Sequence, residues 1–199
     1  MDEPTDDGHT NGGDSETQTT VLVVEDDADL AALYAEWLAG DYDVRVAHSG
    51  KEALSVLADV DVDVALLDRR MGTISGDEVL EEIRKRGYDC RVAMVTAVDP
   101  DLDVVDMPFD DYLTKPVKRE ALHEMVAGLT ALVEYSEFQL KLSSKRVRRS
   151  VLQGEKRPEE LSKSERFQRL EAEIETLEEQ LSDIETSYPG YEPLFKRIR

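Results

Sequence analysis

Short apolar runs alternate with helix-periodic segments from Thr20 onward, and no other feature of the sequence restricts the fold as strongly. The runs are Val21 to Val24, Val44 to Ala47, Val62 to Leu67, Val92 to Val95 and the short pair Tyr112 and Leu113. Between them, Leu30, Leu33, Tyr34, Trp37 and Leu38 recur at helical spacing, as do Ala53, Leu54, Leu57 and Ala58, and then Val79, Leu80 and Ile83. Repeated strand and helix units of this kind build a parallel sheet, because a parallel neighbour is reached only through a crossover connection. The first, third and fourth runs are almost continuously apolar, as expected of strands covered on both faces. Ser49 with Glu52, and Ser75 with Glu78, have capping-box spacing just ahead of two of the periodic segments and mark helix starts.

The flanks differ from this repeat. Residues 1–19 hold almost nothing apolar, cannot offset the entropy of ordering, and read as a disordered acidic tail. The repeat should close with a fifth helix ending near Leu129, and there the charge balance changes. Residues 1–129 carry 31 acidic against 11 basic side chains, whereas 130–199 carry 14 against 13. A break of that size suggests a module boundary, giving one unit over 20–129 and a second over 130–187. In the second, Ser162 with Glu165 resembles another capping box, followed by Phe167, Leu170, Ile174, Leu177, Leu181 and Ile184 at coiled-coil spacing. Gly154 and Pro158 interrupt any helix entering from the left, so the region reads as two helices joined by a tight loop. Tyr135, Phe138 and Leu142 define one apolar face of the first of these helices, and Leu140, Val147 and Val151 another. Residues 188–199, with two prolines and no period, read as a tail.

In an open parallel sheet, ligands collect beyond the carboxyl ends of the strands, where strand order reverses. Polar residues occupy those places here: Glu25 and Asp26 after the first run, Asp68 after the third, Thr96 after the fourth and Lys115 after the fifth. With a flavodoxin-like strand order of 2-1-3-4-5, Glu25, Asp26 and Asp68 share one shallow pocket. Three carboxylates so close repel one another unless a cation sits among them. A hard divalent ion with oxygen ligands, Mg2+ above all, resolves the conflict. Each residue alone has a plainer reading: Asp68 as a loop solvator or cap, Glu25 to Asp27 as an acidic first turn favoured by the helix dipole, Lys115 as a surface residue, Thr96 as an ordinary strand residue. Their coincidence at successive strand ends is what argues against it.

The stretches VLVVEDD, ALLDRRM, VTA and DYLTKP, in that order over Val21 to Leu129, resemble the receiver domain of two-component response regulators. The resemblance implies a switch rather than an enzyme. Asp68 would accept a phosphoryl group from a sensor histidine kinase; Asp26 and Asp68 would ligate Mg2+, Glu25 through water and Arg70 through its backbone carbonyl. Thr96 and Lys115 would bind the phosphoryl oxygens, Tyr112 would swing with the state, and the Lys115–Pro116 bond would be cis. Two departures stand out. Gly72 replaces the family's usual proline after the DxxM stretch, and the segment between Thr96 and Lys115 has Pro100, Pro108 and little periodicity, implying a short or irregular fourth helix.

The order YSEFQLKLSSKRVRRSVLQ, a break, then LSKSERFQRLEAEIETLEEQL resembles the HalX-type helical domain that follows receivers in halophilic archaea, with transcriptional regulation the implied output. Lys141, Lys145, Arg146, Arg148 and Arg149 form a basic run that could touch DNA phosphates, although no helix-turn-helix spacing, wing or zinc-ligand pattern follows. The run could equally pair with Glu171, Glu173, Glu175, Glu178 and Glu179, leaving a homodimer or a helical partner bound through 135–184 as the expected contact. A rival enzyme reading, an aspartyl-phosphate hydrolase of the dehalogenase type, needs a carboxylate two residues after the nucleophile, where this chain has Arg70. A formal charge of −21 disfavours global attraction to nucleic acid or anionic lipid. No apolar stretch approaches spanning length, the acidic start lacks a secretory n-region, and the single Cys90 suits a reduced, cytoplasmic setting.

Overall fold

The computed structural model describes residues 18–98, 100 and 105–198. Five parallel strands, β1 (Thr20–Val24), β2 (Asp43–Ala47), β3 (Val64–Leu67), β4 (Arg91–Thr96) and β5 (Asp111–Thr114), form one sheet in the order β2-β1-β3-β4-β5. Helices α1 (Ala28–Leu38), α2 (Gly50–Asp59) and α3 (Gly76–Arg86) make the first crossovers. Val21, Val23, Val64, Leu66, Ala93 and Val95 pack on one face with Tyr34 and Leu38 of α1, while Leu22, Val24, Ala65, Leu67, Val92 and Met94 pack on the other with Ala53 and Leu57 of α2 and Val79, Leu80 and Ile83 of α3. The near-continuous apolar runs are thus strands buried on both sides.

The helix starts follow the local chemistry. Ser75 and Glu78 form a complete capping box, and Ser49 accepts from the Glu52 N–H, although the Glu52 carboxylate reaches the His48 N–H instead of that of Ser49. Asp27 caps α1 by accepting from Asp29 and Leu30, so the acidic turn after β1 divides its labour and Asp26 is left exposed beside the cap.

The sequence places a helix end near Leu129, but α4 runs unbroken from Arg119 to Glu155. Nothing stops it: the span between holds no proline, and Leu129, Leu132, Tyr135 and Leu142 keep one face buried throughout. The helix ends where expected, since Pro158 forces Arg157 into an extended conformation. A single-turn α5 (Pro158–Leu161) leads to α6 (Glu165–Ser187), which folds back on α4. Its cap is Ser164, accepting from Phe167, and not Ser162, whose hydroxyl donates to the Glu159 carbonyl. Of the two apolar faces readable in α4, that of Tyr135, Phe138 and Leu142 turns to the core, and Leu140, Val147 and Val151 are exposed. Ile174, Leu177 and Leu181 of α6 extend the same core cluster that begins at the sheet.

The aperiodic C-terminal segment is ordered into a 3-10 turn (Pro189–Tyr191) and α7 (Glu192–Ile198), held by two aromatics that sequence periodicity does not register. Phe195, 1% exposed, lies against Tyr135 with ring centroids 4.6 Å apart. The expected acidic tail falls outside the described residues over 1–17, and the irregular fourth helix does so over 99 and 101–104. Among the described residues between Thr96 and Asp111 there is no α-helix.

Candidate functional site

The sheet ladder continues one step past the strands and thereby fixes the polar residues at their carboxyl ends. The Glu25 N–H donates to the Ala47 carbonyl, the Asp68 N–H to Val24, and the Lys115 N–H to Thr96, at 3.0, 2.9 and 2.9 Å. Because β1 lies between β2 and β3, the acidic turn and Asp68 emerge side by side. Oxygens of Glu25, Asp26 and Asp68 all lie within 4.8 Å of one another. Glu25 and Asp68 are buried, 3% and 8% exposed, while Asp26 is at the rim.

Lys115 ties the pocket to the far end of the sheet. Its Nζ donates to Glu25 Oε2 at 2.5 Å and to Asp68 Oδ2 at 2.7 Å, bridging side chains 90 and 47 residues away in sequence. Burial pushes the Glu25 carboxyl above its ordinary value, and the hydrogen bond and charge of Lys115 only partly oppose this. Burial would likewise depress Lys115, but its hydrogen bonds to Asp68 and Glu25 outweigh it and hold the ammonium above its usual range. The other oxygen of Asp68, Oδ1, accepts from the Arg70 N–H at 3.2 Å. This loop geometry turns the backbone of Arg70 toward the Asp68 carboxylate.

Thr96 is fully buried, two residues past Met94, the partner of Leu67 in the ladder, and its hydroxyl accepts from the Val98 N–H at 3.3 Å. Tyr112 is half-buried, 5.6 Å from the Phe109 ring, and its hydroxyl donates to the Val98 carbonyl at 2.5 Å. Both side chains therefore engage the backbone of the same residue just after β4. The Lys115–Pro116 bond is cis.

Two supports of the pocket escape sequence reading. A carbon at position 76 would collide with the Asp68 carbonyl, so the start of α3 approaches Asp68 closely enough to require glycine there. The Arg69 Nε–H is shared by both oxygens of Asp77, 3.1 Å from each, tying the loop after Asp68 to the first turn of α3. The only available signal for either was a glycine directly after the Ser75 cap.

A set of carboxylate oxygens with one rim position open to water, close together and short of positive charge, suits a hard divalent cation such as Mg2+ and not a soft metal. Chemically, the pocket joins a buried carboxylate, a group able to act as a nucleophile, to a lysine ammonium within hydrogen-bond reach.

Comparison with known proteins agrees with this geometry. Residues 21–127 match the model of the response regulator receiver domain, and residues 131–193 match that of the HalX domain. A protein of Haloferax volcanii is 57% identical over 113 residues, covering 56% of this chain and 19% of its own length. The transcriptional regulatory protein CpxR of Klebsiella pneumoniae is 37% identical over 122 residues, covering 59% of this chain and 50% of that protein. The chain thus spans half or less of the length of these two relatives. Among solved structures, the response regulator protein TrrA from Thermotoga maritima in complex with Mg(2+)-BeF superposes with a TM-score of 0.51 at 33% identity, over 56% of this chain and 98% of that one. With a family model matching more than half its length, over the residues that form this sheet and pocket, the chain belongs to the response regulator receiver family and carries a HalX domain behind the receiver.

Proposed function

We propose that the chain is a phosphorylation switch in which Asp68 takes a phosphoryl group from a phosphohistidine of a sensor histidine kinase. An Asp68 carboxylate oxygen attacks phosphorus in line, the P–N bond breaks, and the imidazole departs with the electron pair. Lys115, already bonded to Asp68 in this structure, supplies positive charge to one phosphoryl oxygen, and the Thr96 hydroxyl supplies a donor to another. Asp26 and Asp68 would hold Mg2+ directly, with Glu25 acting through water and Arg70 through its carbonyl; the ion, when bound, neutralises the phosphoryl oxygens and draws in the donor. Phosphorylation replaces a carboxylate of one negative charge by an acyl phosphate carrying about two, with three phosphoryl oxygens as acceptors, which displaces Lys115 and Thr96 and biases Tyr112. Chemistry is confined to the chain's own phosphorylation and dephosphorylation.

The observation that carries this reading is the bridge from Lys115 to Glu25 and Asp68, because neither plain strand-end solvation nor capping requires a half-buried lysine between two buried carboxylates. Arg70 in place of a second carboxylate weighs against the hydrolase alternative. Incubation of the full chain with Mg2+ and acetyl phosphate should add the mass of one phosphoryl group, and Asp68→Asn should abolish it. Turnover of external phosphoesters without a stable label would refute the switch in favour of the enzyme.

For the output, we read 20–129 as the switch, 130–187 as a helical hairpin and 188–198 as its continuation. Contact with a second copy or a helical partner through 135–184 is favoured over DNA. Lys145 bonds Glu173, Arg146 bonds Glu178 and Arg149 approaches Glu171 across the hairpin, and Lys141 bonds Glu137 on its own helix, so four of the five basic side chains are committed within the chain. A salt-dependent gel shift, set against a dimerisation assay with Leu177→Glu, separates the two. Transcriptional control in a cytoplasmic setting is consistent with this reading; among the described residues no helix is long and apolar enough to cross a membrane.

A further inference from the structure

Tyr191 sits at the turn between α6 and α7, 80 residues in sequence from Asp111, yet its hydroxyl donates to Asp111 Oδ2 at 2.5 Å. The Met125 carbonyl oxygen is 3.3 Å from the same hydroxyl. The ring lies against α4 at Gly128, where any side-chain carbon would run into it. Burial, with the Asp111 carboxylate adding to it, raises the pKa of this hydroxyl, so it remains a donor at neutral pH. Behind the turn, Phe195 packs on Tyr135 and anchors α7 to the same helix.

Asp111 is the first residue of β5, a four-residue edge strand paired only with β4. The next residue, Tyr112, bonds the Val98 carbonyl. The residue just after the strand is Lys115, bonded to Asp68. One short strand therefore carries the Tyr191 contact at its start and the phosphoacceptor's cation at its end. A hydrogen bond from a hydroxyl to a carboxylate is directional, so it is lost on a displacement that leaves the apolar packing of Phe195 almost unchanged.

We propose that residues 189–198 form a tethered latch on the β5 and α4 face of the receiver, held by Tyr191 and Asp111 and released when Asp68 is phosphorylated. The latch rests on the switch proposed above and adds to it a defined surface, that of Met125, Gly128 and Asp111, which is covered in the resting state and uncovered in the active one. Its occupant is the chain's own C-terminal segment. Linkage makes the effect reciprocal: if phosphorylation loosens the segment, loosening the segment favours phosphorylation by the same factor.

The test follows amide hydrogen exchange of 189–198 in the full chain, with and without Mg2+ and acetyl phosphate, while intact mass reports the phosphoryl label. Two variants lie away from Asp68: Tyr191→Phe keeps the ring and removes the donor, and Gly128→Ala pushes the ring off the helix. Phosphorylation should speed exchange of the wild-type segment by about fivefold or more, a typical size for such coupling. Both variants should exchange rapidly without phosphorylation and reach a ratio of labelled to unlabelled chain up to about fivefold above wild type at the same acetyl phosphate concentration. Label with unchanged exchange, or Tyr191→Phe reaching the wild-type ratio of labelled to unlabelled chain, overturns the latch and leaves the switch standing. Absence of any label overturns both.

Discussion

Replacing Lys115 by methionine removes the ammonium that bridges Glu25 and Asp68 while keeping the length and bulk of its stem. Glu25 and Asp68 then face each other at no more than 4.8 Å with nothing between them. At an effective dielectric constant of about 20, two unit charges at that separation repel by at least about 3 kcal/mol. This is in the range found on breaking buried ion pairs by removing one partner, roughly 3 to 5 kcal/mol. For a chain of this size it corresponds to a fall in melting temperature of roughly 6 to 12 °C. The assay is thermal unfolding of wild type and Lys115→Met in chelator and across a Mg2+ titration. A divalent ion does for the two carboxylates what the ammonium did, so Mg2+ should raise the variant's melting temperature more than that of wild type and close most of the gap. Acidification should close it too. Glu25 titrates above its ordinary value of 4.5 in the folded chain, so as pH rises from there the unfolded state ionises first and stability falls. Without Lys115 that loss is larger and extends to higher pH. A variant as stable as wild type in chelator, with the same response to Mg2+ and acid, would show that the bridge does not organise the pocket.

Gly76→Ala should cost about 1 to 3 kcal/mol through its clash with the Asp68 carbonyl and lower phosphoryl incorporation with it, read by melting and intact mass; a neutral result on both would refute the close approach. Ile174→Ala should destabilise by about 2 to 5 kcal/mol in denaturant titration, since its side chain belongs to the core cluster shared by sheet and hairpin. If that core is cooperative, a single transition is expected, and two separated transitions would refute it. The Cys90 thiol, pushed up to about 12 by burial, should react with alkylating reagents near pH 8 only after unfolding, and fast stoichiometric labelling of the native chain would contradict its placement.

The sheet and the pocket were legible in the sequence for a physical reason. Strands buried on both faces must be continuously apolar, so the first polar residue after β1, β3 and β4 marks a strand end, and Glu25, Asp68 and Thr96 announce themselves. What lies in the second layer was not. The Arg69 and Asp77 clamp uses residue types common on any surface, and the demand for glycine at 76 comes from the approach of another backbone segment. The helix end near Leu129 was misplaced because a charge break is not a helix breaker; only Pro158 supplies one. The ambiguity between the two faces of α4 could not be resolved from periodicity either, since both have helical spacing and only the position of α6 decides which is covered. Tyr191 and Asp111 illustrate the extreme case, a contact spanning 80 residues between a residue in an aperiodic stretch and one at a strand start.

The unbroken course of α4 has a mechanical consequence. Thirty-seven helical residues make a rod of about 55 Å, whose first turns pack on the sheet and whose far end holds the hairpin tip. With no joint along it, a tilt of about 5° at the base swings the tip through about 5 Å, taking the helix as rigid over that length. The receiver and the hairpin therefore share a lever arm, and small adjustments beside the sheet arrive at the distal loop enlarged.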